Sequence, residues 1–234
     1  MADDFDHCVD LIRAGDEDFS LSLGYALDAD RARLAAVYAF QIELRRIPLI
    51  VSEPPLGEVR LQWWREALDE IVAGVSPRAH PVVRLLAASG AICARTRNHA
   101  ECQIDARARL LYEPQFSSLK DFREFLRGAE APVASLALGA DSAFPADAAA
   151  ALGEAYALVR FAPTLAQDLA SDAGAEALRL CGRLAGRKIR LSPANAGRLA
   201  WCSLTRGYAV RGDGRPWPAM KRLAMFRAVL TGRF

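Results

Sequence analysis

The sequence predicts an all-α protein folded as one domain over residues 1–234, and three observations carry that expectation. Apolar residues recur at helical spacing along nearly the whole chain, while alternating β-branched runs, the mark of half-buried strands, are almost absent. Ala and Leu, both good helix formers, recur throughout. Gly and Pro gather at a small number of breaks, and no linker rich in Gly, Ser or Pro divides the chain.

The breaks and caps set the elements in order. Helices are expected at 5–14, ended by Gly15, and at 16–26. A third runs over 28–47 with Asp28 as its cap before Ala29. Pro54-Pro55 separates it from 56–74, and Ser76-Pro77 separates that from 79–111. Glu113-Pro114 precedes a helix at 118–140, where Ser117 is followed by Asp121 in a capping pattern. Phe144-Pro145 precedes 146–172 and then 174–187. Ser192 before Pro193 opens 192–209, and Gly212-Asp213-Gly214 separates it from 216–231.

Two helices have a readable phase at about 100° per residue. In Arg31 to Ile47, a single stripe holds Leu34, Tyr38, Gln41 and Arg45, so Arg45 is aimed at the interior or its mouth. In Glu58 to Gly74, the buried stripe is Leu61, Trp64, Leu68 and Ile71, with Trp63 turned toward a second neighbour.

Composition excludes several functions. The chain is 52% hydrophobic and 25% charged, as a globular protein should be. Its net charge of +2, from 30 basic and 28 acidic residues, gives no pull toward nucleic acid. Basic residues do gather late, in Arg183, Arg187, Lys188, Arg190, Arg215, Lys221, Arg222, Arg227 and Arg233. They read as a solvated helix surface, or alternatively as a patch that leans on anionic lipid headgroups. The cysteines (Cys8, Cys93, Cys102, Cys181, Cys202) form no C-x-x-C pair, so reduced thiols in a cytoplasmic setting are expected. His7, His80 and His99 lack metal-ligand spacing. The acidic N-terminal stretch is no secretory signal, and no apolar run is long enough to span a bilayer.

Several motifs, in order, resemble the squalene/phytoene synthase family: DFSLSLGYAL (Asp18–Leu27), Arg31 with YAF (Tyr38–Phe40), RLQWWREAL (Arg60–Leu68) and LGEAYAL (Leu152–Leu158). The resemblance implies an isoprenoid-synthase-type helical bundle around a central cavity. In active members, two aspartate-rich helices face each other there and hold Mg²⁺, which grips prenyl diphosphates. Carboxylates one helical turn apart suit that hard ion. Against that pattern, the first acidic positions fall here on Arg45, Arg46 and Leu49, and a guanidinium offers a metal no lone pair. Gln41 and Ile42 replace a usual cysteine and arginine. On the second motif, Thr164 takes the first aspartate position and Asp168 the second, with Arg160 in place of an asparagine. Asp168 and Asp172, spaced i, i+4, are the remaining candidate metal ligands.

The stretch AFQIELRRIPLIVSEPPLGEVRLQWWREALDEI also resembles the non-catalytic branch of the family that includes the mitochondrial respiratory complex I assembly factor and its bacterial relatives. IDARARLLY (Ile104–Tyr112) resembles a helix of those relatives, with Leu110 where they carry an aspartate. The expectation is a pseudoenzyme without a cofactor, an assembly or accessory factor for a respiratory membrane complex, cytoplasmic and peripheral to the inner membrane. Two other readings stay open. One is an active Mg²⁺-dependent prenyl transferase. The other is a protein that binds an isoprenoid or another lipid through Tyr38, Gln41, Arg45, Asp105 and Asp168, with Arg45 on an anionic head or in an internal ion pair to Asp105 or Asp168.

Overall fold

A computed structural model describes residues 2–187, 189–211 and 218–234. Among them every regular element is helical: α1 Ala2–Gly15, α2 Glu17–Leu23, α3 Asp28–Ile50, α4 Pro54–Val72, α5 Pro81–Ala88, α6 Arg97–Arg109, α7 Leu119–Ala129, α8 Pro132–Leu138, α9 Ala146–Phe161, α10 Gln167–Gly186, α11 Pro193–Arg198, α12 Thr205–Arg211 and α13 Pro218–Thr231, with 3₁₀ turns at Ala162–Thr164 and Ala200–Leu204. The expected break at Gly212-Asp213-Gly214, together with Lys188 and Arg215, lies outside the described residues.

Helix α3 is the axis of the bundle, with α1, α2, α4, α5, α6 and α8 packed around it. It buries Leu34, Tyr38 and Gln41 completely. Pro48 sits within its last turn, where it cannot donate to the ladder, and the helix ends at Ile50. Helix α4 buries Leu61, Trp64 and Leu68 against the same core, while Ile71 is only partly covered. Trp63 meets Trp64 and His80 edge-on and carries the Arg78 guanidinium over its face. A second apolar cluster joins Phe122, Phe125 and Leu126 of α7 to Leu158 of α9 and Leu180 of α10.

Four expected helices are each two or more elements. The span 79–111 divides because Gly90 turns to φ 64°, after which Thr96 accepts from Cys93 N–H and donates to Ala91 C=O, closing a tight turn before α6. The span 118–140 divides at Pro132, which cannot bond back into α7. The span 146–172 divides at Pro163 in a 3₁₀ turn, and its remainder joins 174–187 as α10. In 192–209, Gly197 lies where a Cβ would strike the Tyr25 carbonyl, and the chain continues as a 3₁₀ turn and α12.

The caps sort similarly. Ser192 accepts from Asn195 N–H, as expected. Asp28 is inside α3 rather than capping it. Ser118, not Ser117, caps α7, while Asp121 reaches back to Ser117 N–H.

Candidate functional site

The interior between α2, α3, α6, α7 and α9 is built from charges. Asp16 caps α2: one carboxylate oxygen accepts from Asp18 and Phe19 N–H at 3.0 and 3.1 Å. Its other oxygen accepts from Arg45 at 2.8 Å. Arg45 forks onto Glu130 at 2.6 and 3.2 Å, so its guanidinium joins two buried carboxylates from opposite sides. Phe19 and Phe161 lie against its faces. Glu130, at the end of α7, also accepts from the buried Arg107 of α6. Two guanidiniums and two carboxylates thus cancel in a largely buried place, with Arg45 still 17% exposed.

Burial alone would raise the Glu130 carboxyl, but Arg45 and Arg107 outweigh it and hold it below its ordinary 4.5. Burial would lower Arg45; Glu130 and Asp16 outweigh that and raise it. Arg107 is held low by burial first and by Arg45 as well, although Glu130 pulls the other way.

A second charged group adjoins the first. Asp18 accepts from Tyr156 OH, Tyr208 OH and Lys221 Nζ, each at 2.7 Å. Arg160 stands 3.6 Å from it. Lys221 is almost fully buried and donates also to Glu17, so it does not belong to the solvated basic face expected of the late cluster. Burial, followed by the charge of Asp18, pushes Tyr208 up to about 12 and Tyr156 well above its ordinary range.

The sequence candidates separate into two sets. Tyr38, Gln41 and Arg45 do come together on the inner stripe of α3. Tyr38 stacks on Phe19 and donates to Arg198 C=O, and Gln41 donates to Ala129 C=O at 2.9 Å. Asp105 is turned outward on α6, bonded to Arg65 at 2.7 Å. Asp168 and Asp172 are exposed on α10. The internal partners of Arg45 are therefore Asp16 and Glu130, not Asp105 or Asp168. Arg46 bonds Glu43 at the surface and Leu49 is 82% exposed. Thr164 returns its hydroxyl to Phe161 C=O.

A Mg²⁺ ion does not fit this interior. It needs carboxylate oxygens free to bind it, and those of Asp16 and Glu130 are taken up by backbone N–H groups and guanidiniums. No group of three or more His, Cys, Asp or Glu side chains suited to a metal occurs among the described residues. An open groove of about 550 Å³ runs along α4, lined by Val59, Gln62, Trp63, Glu66 and Ala108 among others.

Comparison with known proteins gives a consistent pattern. The squalene/phytoene synthase family model matches residues 12–180. The rat protein named NADH dehydrogenase (ubiquinone) complex I, assembly factor 6 is 26% identical over 157 residues, covering 65% of this chain and 46% of its own length. The mouse protein of the same name is 29% identical over 80 residues, covering 34% and 24%. The chain spans less than half the length of these curated relatives. Among solved structures, a dehydrosqualene synthase bound to a ligand superposes with a TM-score of 0.75 at 14% identity, covering 98% of this chain and 96% of that one. A squalene synthase from Alicyclobacillus acidocaldarius gives 0.63 at 18% identity, covering 97% and 95%. These likenesses establish the isoprenoid-synthase-type helical fold.

Proposed function

This chain belongs to the squalene/phytoene synthase family, and from that premise we propose that it is a non-catalytic member acting as an assembly or accessory factor for a respiratory membrane complex. One observation carries the non-catalytic half. Where the family resemblance puts the first acidic motif, Arg45 projects inward and is already neutralised by Asp16 and Glu130. A diphosphate leaving group needs a surplus of positive charge at the reacting centre. Here guanidinium and carboxylate cancel, and Asp168 and Asp172 are exposed on α10.

The assembly half draws on the likeness to two proteins named as complex I assembly factors. Such a role asks for a fold with stable surfaces, and the largely buried ion pairs that Arg45 and Arg107 make with Asp16 and Glu130 support it.

Two assays test the halves separately. Purified protein incubated with farnesyl or geranylgeranyl diphosphate and Mg²⁺ should form no C30 or C40 product above background. A product abolished by Asp168→Ala would overturn the non-catalytic reading. Deleting the gene in its host should lower assembled complex I on native gels and the NADH oxidation of membranes. Complex I at wild-type level in the deletion strain would end the assembly reading.

A further inference from the structure

The outward face of α13 is apolar, basic and free of acids. Met220, Leu223, Phe226 and Leu230 fall within about 120° of the helix circumference at 100° per residue. All are exposed, Leu223 by 67% and Leu230 by 73%. Arg227 lies among them, and Arg222 and Arg233 stand exposed beside them. Val210, Arg206 and Arg211 extend the same character along α12. From Ala177 to Phe234 the sequence holds one acid, Asp213, which lies outside the described residues. Glu17, which reaches α13 from α2, is already engaged by Lys221.

This face cannot turn inward, because the opposite one is fixed. Lys221, Met225 and Ala228 are buried. Lys221 is tied to Asp18 and Glu17, Tyr25 OH bonds the Arg222 carbonyl at 2.7 Å, and Gly232 C=O accepts from Leu191 N–H. The helix is held with Phe226 and Leu230 pointing at solvent.

We propose that the α12–α13 face docks on an anionic lipid bilayer, with Leu223, Phe226 and Leu230 entering the headgroup boundary and Arg222, Arg227 and Arg233 meeting lipid phosphates. Charge complementarity selects this occupant. An apolar face flanked by arginines and lacking carboxylates matches a surface that is uniformly negative above hydrocarbon. No helix among the described residues is long and apolar enough to cross a membrane, so the contact lies on the bilayer. The surface lies beyond residues 12–180, and the inference holds whether or not the interior retains any chemistry.

Co-sedimentation of the full chain with phosphatidylcholine vesicles, with and without phosphatidylglycerol, tests this. Binding is expected only with the anionic lipid, and it should weaken as salt rises. Arg222→Gln and Arg227→Gln should each lower affinity about fivefold. Phe226→Ser with Leu230→Ser should lower it by about a hundredfold, with the circular dichroism spectrum unchanged because both residues are exposed. Equal binding to neutral vesicles, no binding to either kind, or indifference to the Phe226 and Leu230 changes would overturn the proposal. So would a dimer in analytical ultracentrifugation that Phe226→Ser splits, since the face would then serve a second copy of the chain.

Discussion

Replacing Glu130 by Gln removes one charge from the centre of the bundle while keeping its shape. In the native protein Glu130 takes two bonds from Arg45 and one from Arg107, and all three side chains are largely or wholly buried. After substitution two guanidiniums face each other with Asp16 as their remaining buried anion. Removing one partner of a buried ion pair costs about 3–5 kcal/mol, because the surviving charge stays desolvated. A loss of that size is a large fraction of the roughly 5–15 kcal/mol that stabilises an ordinary domain. Urea unfolding followed by circular dichroism at pH 7 should show it as a lower midpoint with the slope unchanged. Acid adds a second readout. The folded pKa of Glu130 is depressed below 4.5, so its contribution is complete above that value and is lost as pH falls through the depressed one. The variant should therefore show a flatter acid limb. A loss under about 1 kcal/mol together with an unchanged acid limb would mean that the Arg45–Glu130–Arg107 arrangement contributes little, and that the interior is not held by charge.

Other outcomes follow from packing. Trp64→Ala, which empties a site against Phe40 and His80, should cost about 3–5 kcal/mol in the same unfolding assay. Gly153→Ala puts a methyl 2.8 Å from the Ala131 carbonyl oxygen and 2.9 Å from its Cα; backbone cannot yield as a side chain can, so thermal unfolding should register a loss of about 1–3 kcal/mol. Lys221→Met leaves buried Asp18 to its tyrosines and the more distant Arg160, and denaturant titration should show a loss of about 3–5 kcal/mol. Ser192→Ala, by deleting the bond to Asn195 N–H, should cost about 1 kcal/mol.

The fold was legible because its information is local and periodic. The stripe Leu34, Tyr38, Gln41, Arg45 could be phased from spacing alone: the first three are fully buried and Arg45 is largely covered. What escaped was the identity of the partners. Asp16 reads as an ordinary surface cap in an acidic run, since nothing local marks its second oxygen as facing Arg45. Glu130 did carry a signal: it is the lone acid in the stretch GAEAPVASLALGA, and a carboxylate in such an apolar run needs an internal cation. Lys221 shares a face with Met225 and Ala228, which could have separated it from Arg222 and Arg227. The helix breaks at Thr96 and Pro132 depended on side-chain bonds and missing donors that periodicity averages away.

The bond from Asp18 to Lys221 spans 203 positions of sequence. On the ribosome, at about 5–20 residues per second, roughly 10–40 s separate the appearance of the acid from that of its cation. Throughout that interval Asp18 would be costly to enclose, so α2 has reason to stay wet and the bundle to stay open on that side. Docking of α13 against α2 is then expected only after Lys221 has been made. A nascent chain stalled before Lys221 should remain cleavable near α2, while the released chain becomes resistant there as soon as the latch is made.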